Sequence, residues 1–322
     1  MVLKGLSDAM NMDQMIAKEI KLLLTESGLS KDVVCIINSW LDSNYRIKGR
    51  YGWAQLTLMT CDSTGGGSDV GLQGAVAMEL YALAADILDD IQDQDNNDLP
   101  WRIVLPAQAI NLATCILVLS YKALSTISNR RHFEDVSNAL NQMGLQACDG
   151  QFQESLNDSK DKISLEEYFE IIKQKSGGLT AGACKIGAIL GGADQTLVDQ
   201  LEQFGMSLGV MSQIKNDIHD FLNFETKSDF ARGRKTLPFV YLLNVLNEIE
   251  SEELRCLSTL AIKDLDEFGS KERGRLRELM VNEGTIHYYS VIYEMYKQRA
   301  MEILEGITIS ENRKEKLIQL VG

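Results

Sequence analysis

Five carboxylates, Asp86, Asp89, Asp90, Asp93 and Asp95, fall within ten residues where a long apolar run from Ala75 to Leu88 ends. No Lys or Arg occurs between Gly52 and Arg102, so these acids have no neighbour in sequence to neutralise them. On a helix, Asp89 and Asp93 stand one turn apart and project the same way, with Asp86 and Asp90 alongside. Carboxylates clustered in this way repel one another and raise each other's pKa unless a cation joins them. Hard oxygen donors that share an ion with a phosphate suit Mg²⁺. The plain alternative for one such cluster is a solvated acidic helix end.

A second acidic stretch weighs against that alternative. Asn216, Asp217 and Asp220 repeat the offsets 0, +1 and +4 of Asp89, Asp90 and Asp93 on another apolar helix. Asn216 offers a neutral oxygen where the first site has a carboxylate, so the second site is expected to hold metal less tightly. His219 faces away from that trio by spacing and reads as a surface or supporting histidine. Four cations follow at Lys227, Arg232, Arg234 and Lys235, and three more precede the first site at Arg46, Lys48 and Arg50. Two Asp-rich helix ends with Lys and Arg nearby would make a cage of three Mg²⁺ ions for a diphosphate. Apolar helices behind it would form a dry tunnel for a greasy chain. Such a site ionises an allylic diphosphate, the metals taking up the departing charge and the tunnel keeping water away from the cation.

The elements that position these residues read as helices throughout. The chain has 322 residues, three prolines and almost no strand-like alternation, and its apolar residues recur at intervals of three and four. Amphipathic helices are expected over 12–27, 31–42, 106–124, 133–156 and 164–192, the last opened by a Ser-Leu-Glu-Glu capping box, with another through Tyr288–Leu304. Pro100 breaks the chain after the first acidic motif. Gly65-Gly66-Gly67 lacks the Lys and Ser/Thr of a phosphate-binding P-loop and reads as a helix-to-helix connection. With 45% hydrophobic residues the chain can bury a large core, and residues 1–322 are taken as a single domain. A net charge of −14 disfavours nucleic acid and anionic membranes as partners. Six scattered cysteines without a CxxC pair suit a reducing cytoplasm. No signal peptide is read, and no apolar run is expected to reach the roughly 18 residues of a membrane-spanning helix.

At this point the chain resembles the isoprenyl (polyprenyl) diphosphate synthase family over about residues 45–310. Asp89-Asp90-x-x-Asp93 is similar to its first Asp-rich motif. Gln213-x-x-Asn216-Asp217-x-x-Asp220, with Lys227, Gly233 and Lys235-Thr236-Leu237-Pro238, is similar to its second motif and tail. Gly150-Gln151 and Lys175-Ser176-Gly177 match two further signatures. The resemblance implies an all-α fold, a single large helical bundle of the type I isoprenoid synthase kind around a central cavity, usually as a homodimer. It implies catalytic roles for Asp89, Asp90, Asp93, Lys175 and Asp217, and metal contacts from Asp89, Asp90, Asp93, Asn216, Asp217 and Asp220. By position, Lys175 and Lys227 would bind the allylic diphosphate, with Gln213 and Lys235 beside it, and Arg46, Lys48 and Arg50 would be the remnant of a site for isopentenyl diphosphate.

The departures bear on the acceptor. Where the family usually has Gly-Gly-Lys-Arg-x-Arg-Pro, this chain has Arg46-Ile-Lys48-Gly-Arg50-Tyr-Gly, and where it usually has Arg-Arg-Gly, this chain has Leu99-Pro100-Trp101-Arg102. The segment from Asp89 to Trp101 is most similar to the branch that prenylates a tryptophan of a secreted quorum-sensing peptide precursor. Transfer of a geranyl or farnesyl group to such a peptide is the leading expectation. A chain-elongating synthase using isopentenyl diphosphate, with Arg50 and Arg102 supplying the missing charge, is the second. A regulatory subunit of a heteromeric synthase is the third, and the near-complete acidic motifs argue against it. A terpene cyclase shares the metal chemistry but generally lacks the Lys-Thr-Leu-Pro tail. Tyr81, eight residues before Asp89, would lie about 12 Å deeper along the helix and is the first bulky group able to close the tunnel.

Overall fold

The computed structural model describes residues 2–42, 51–94, 96–222, 229–263 and 268–322. The expected phosphate-binding residues Arg46, Lys48, Arg50 and Lys227 lie outside the described residues. Helices run α1 Val2–Thr25, α2 Lys31–Asp42, α3 Gly52–Thr64, α4 Ser68–Asp93, a short α5 Pro100–Ile103, α6 Pro106–Leu124, α7 Arg130–Asp158, α8 Leu165–Ile172, α9 Gly178–Leu190, α10 Gln195–Leu222, α11 Leu237–Val245, α12 Glu248–Lys263, α13 Ser270–Asn282, α14 Thr285–Gly306 and α15 Glu311–Ile318. There is no strand among the described residues, and the fold is all-α.

Helix α4 is the axis of the bundle. Residues 75–84 are buried without interruption, as a helix apolar on every side must be. It packs against α3, α6 and α9, and α10 packs against α9. Burying so long an apolar run fixes where α4 points, and its C-terminal turn carries Asp89, Asp90 and Asp93. Glu79, fully buried in the same helix, accepts a 3.0 Å hydrogen bond from the Ala54 N–H and so satisfies a free donor at the start of α3.

Two boundaries differ from the sequence expectation. The stretch 164–192 is not one helix: α8 gives way to a widened π-helical turn, Lys173–Gly177, before α9 begins. The capping box at its start is present, with the Glu167 N–H donating to Ser164 Oγ at 3.0 Å and the Ser164 N–H donating to Glu167 Oε2 at 2.8 Å. The second difference concerns membrane-length helices. Contrary to expectation, Ser68–Asp93 and Pro106–Leu124 are both long and apolar enough to cross a membrane by length and composition. The first is the core helix just described. The second, α6, is less covered and shows Ile110 and Val118 to solvent.

A smaller aromatic core lies beyond the end of α10. Phe230 is 1% exposed and meets Phe221, Phe239 and Phe268 with ring centroids 5.5, 5.7 and 5.8 Å away. It anchors the segment leading to α11, which brings Arg234 and Lys235 towards the bundle's interior.

Candidate active site

A cavity of about 1010 Å³ opens between α4, α7, the π turn, α10 and the start of α11. Its mouth is polar and its depth apolar. Asp89, Asp93, Lys175, Gln213, Asn216, Asp217 and Lys235 line the former, while Tyr81, Ala84, Ala85 and Leu88 line the latter. The four-residue spacing that places Asp89 and Asp93 on one face of α4 is matched by Glu154 and Asp158 on α7, which faces it. Asp89, Asp93 and Glu154 each offer a carboxylate oxygen, and the three oxygens lie within 4.8 Å of one another.

Two cations are set into this array of acids. Lys175 pairs with Glu154 and with Asp89, the latter at 3.4 Å. Arg234 pairs with Asp93 and, at 2.5 Å, with Asp158. The π turn swings Lys175 inward, and Gly150 on α7 gives it room: a Cβ there would stand 2.8 Å from Gln174 Cβ and 3.1 Å from Lys175 Cγ. Burial and the like charges of Asp93 and Glu154 raise the Asp89 pKa, against the lowering effect of Lys175. Burial alone would lower the Lys175 pKa, but Glu154 and Asp89 more than offset it, so the ammonium is held charged. Arg234 follows the same pattern between Asp158 and Asp93. Lys235 does not: burial lowers its pKa, and its ammonium lies 5.2 Å from the centroid of the Phe239 ring.

Several expected residues take other positions. Asp90, expected as a metal ligand, is 7% exposed and accepts from Asn96 Nδ2 at 2.6 Å and Trp101 Nε1 at 2.7 Å. Asp217 lines the cavity, but its oxygens are engaged by protein donors: Oδ2 by the Tyr168 hydroxyl at 2.6 Å and the Leu237 N–H at 2.7 Å, Oδ1 by Gln213 Nε2 at 2.7 Å. Burial pushes its pKa up to about 6 despite those bonds. Asn216 lines the cavity, whereas Asp220 is not among the described residues that do. Arg102 donates to Asn97 at 2.9 Å and is also absent from the lining. His219 is exposed, in keeping with its spacing.

Glu154, Asp158 and Tyr168 were not singled out by sequence, and Arg234 was named only as one of the four cations after the second motif. The signal for the first two was the acid pair at four-residue spacing directly after Gly150-Gln151. For Arg234 it was the choice between adjacent cations: Arg234 pairs with Asp93 and Asp158, whereas Lys235 lies over the Phe239 ring.

Hard carboxylate oxygens so close together fit a divalent cation such as Mg²⁺, and Asp89, Asp93 and Glu154 are the residues that would hold it. An acidic mouth with half-buried cations opens onto a pocket lined by Tyr81, Ala84, Ala85 and Leu88 within an all-α bundle. Comparison with known proteins places the fold and the family. The structure superposes on geranylgeranyl pyrophosphate synthetase from Pyrococcus horikoshii OT3 with a TM-score of 0.83, covering 98% of this chain and 96% of that one at 22% identity. The polyprenyl synthetase family model matches residues 35–267, and the chain belongs to that family as a prenyltransferase. Among curated relatives, the tryptophan prenyltransferase ComQ of Bacillus subtilis subsp. natto (strain BEST195) is 30% identical over 94% of this chain and 90% of its own length. ComQ of Bacillus subtilis (strain 168) is 26% identical over 92% and 94%.

Proposed function

We propose that the protein transfers a geranyl or farnesyl group from its allylic diphosphate to a tryptophan side chain of a peptide precursor. The observation that carries the reading is the distribution of cations. Among the described residues, Lys175, Arg234 and Lys235 line the cavity, and Lys175 and Arg234 are committed to the acids of the mouth. Arg102, a cation that a second diphosphate would need, turns to Asn97 instead. Likeness to two tryptophan prenyltransferases along nearly the whole chain points the same way.

In this reading Asp89, Asp93 and Glu154 would hold Mg²⁺, which would supply positive charge to offset that of the departing diphosphate. Lys175 and Arg234 turn from carboxylates to diphosphate oxygens as the head binds. The wall formed by Ala84, Ala85 and Leu88 excludes water from the prenyl tail, and Tyr81 closes its far end. An indole needs no base before it attacks, because C3 is already electron-rich. The C–O bond of the allylic diphosphate breaks, a bond forms between its C1 and indole C3, which already carries the tryptophan Cβ, and the resulting iminium loses its N1 proton, which the departing diphosphate can accept.

The exposed apolar residues of α6 and α7, including Val118 and Leu145, support a homodimer through that face. No charged residue occurs between Arg102 and Lys122, so two copies at −14 each can meet there without local repulsion. A single species of 35.9 kDa in sedimentation at micromolar concentration would exclude it. Six free thiols support a reducing, cytoplasmic location.

The acceptor is tested by offering purified protein, Mg²⁺ and a labelled allylic diphosphate with the cognate peptide or with isopentenyl diphosphate. Label is expected on the peptide tryptophan, with weak elongation. Efficient elongation with an unlabelled peptide would favour the chain-elongating synthase, the fold of which this chain shares.

A further inference from the structure

The C-terminal end of α4 is a poor place for four carboxylates. Asp86, Asp89, Asp90 and Asp93 all lie within two turns of the helix C-terminus, where the backbone dipole is already negative, and the last turn contains no basic residue. Mutual repulsion and the dipole both act to unwind this turn, while a metal and diphosphate site needs Asp89 and Asp93 held at a fixed angle. Something in the fold must hold the turn.

We infer that Trp101 and Asn96 are positioning residues that fix the metal-binding face of α4 through Asp90; this rests on reading Asp89 and Asp93 as the ligands. The geometry is specific. Gln94 and Asn96 take left-handed backbone angles, φ +54° and +49°, which turn the chain back along the helix it has just left. Asn96 then donates to one oxygen of Asp90 and Trp101 to the other. Trp101 cannot follow a loosened turn, because its ring is 1% exposed and packs edge-on to Trp40 with centroids 6.0 Å apart. Successive residues on a helix are separated by about 100°, so Asp90 and Asp93 lie about 60° apart around the axis and rotate together. Clamping Asp90 therefore also fixes the direction of Asp93, which meets Glu154 at the cavity. The second acid of the motif acts on the ion through the helix rather than by contact.

The test measures binding of inorganic diphosphate in the presence of Mg²⁺ by calorimetry, with thermal melting of the free proteins alongside. Trp101→Phe keeps the packing on Trp40 and removes the N–H. Asn96→Gly removes the other donor at a backbone angle that glycine adopts freely, and serves if the first variant does not fold. Each is expected to weaken diphosphate binding by about 10-fold, the usual cost of losing a group that orients a ligand. Hydrogen exchange at the amides of residues 90–94 should quicken in both. Asp89→Ala should abolish binding. Unchanged affinity and exchange in the folded Trp101→Phe protein, or in Asn96→Gly if that protein alone folds, would overturn the positioning role while Asp89→Ala upholds the site itself. Undiminished binding by Asp89→Ala would overturn the site and the inference together.

Discussion

The first acidic motif closes helix α4 at the mouth of the cavity, whereas the second lies within α10 and is tied to the elements around it. Both use offsets 0, +1 and +4, and in both the residue at +1 is buried: Asp90 against Asn96 and Trp101, Asp217 against Tyr168, Gln213 and the Leu237 N–H. They differ at offset 0, where Asp89 sits with Asp93 and Glu154 but Asn216 carries no charge. Helical geometry decides which way a residue points, and the donors it meets decide whether its carboxylate is available to a cation. Two motifs alike in spacing can thus divide the work, one presenting charge and the other fastening α8, α10 and α11 around it.

The largest effects should separate the two motifs by kind. Asp89→Ala should lower turnover by about 10³-fold or more, since the charge it removes acts on the departing diphosphate. Melting should stay near the wild-type value, because the change also relieves repulsion among the half-buried acids of the mouth. Asp217→Ala should instead destabilise by about 3–5 kcal/mol, through buried donors at Tyr168 and Leu237 left without an acceptor. Thermal melting and turnover of the two variants check this. A stable, inactive Asp217→Ala protein would collapse the distinction.

The next effect concerns the segment that Asp217 fastens. Arg234→Ala should reduce turnover by about 10- to 100-fold, and Lys235→Ala by less, because only the former reaches Asp93 and Asp158. Steady-state kinetics on an allylic diphosphate would reveal the order. Equal losses would mean that the pairing of Arg234 does not set the electrostatics of the mouth.

The smallest effect is one of length, at the apolar end of α4. Tyr81 lies over Gly144 of α7, where a Cβ would stand 2.5 Å from the Tyr81 oxygen. Gly144→Ala should push the ring into the cavity and favour shorter prenyl groups, and Tyr81→Ala should admit longer ones, each by about one isoprene unit. Preference among geranyl, farnesyl and geranylgeranyl diphosphates reports both. A shift in the same direction for the two variants would remove Tyr81 from the floor.

What could be read from sequence follows the same division. Helix periodicity placed α6 at its observed bounds, and the spacing of Asp89 and Asp93 put both on one face, because these are local properties. Partners are not local. Nothing near Asp90 in sequence indicates that Trp101 returns to it, since that depends on two left-handed residues and on a pocket beside Trp40. Glu154 was visible as a residue but not as a neighbour of Asp89, which requires the packing of α7 against the π turn. The widened turn at Lys173–Gly177 likewise left no periodic signature, as one extra residue in a turn only shifts the phase of the pattern.

The most direct test is a crystal structure with Mn²⁺ and an unreactive allylic diphosphate analogue, in which anomalous scattering locates each metal. Metal peaks should lie on Asp89, Asp93 and Glu154, with Asp90 still bonded to Trp101 and Asp217 to Tyr168. A metal peak within bonding distance of a carboxylate oxygen of Asp90 or Asp217 would contradict the account.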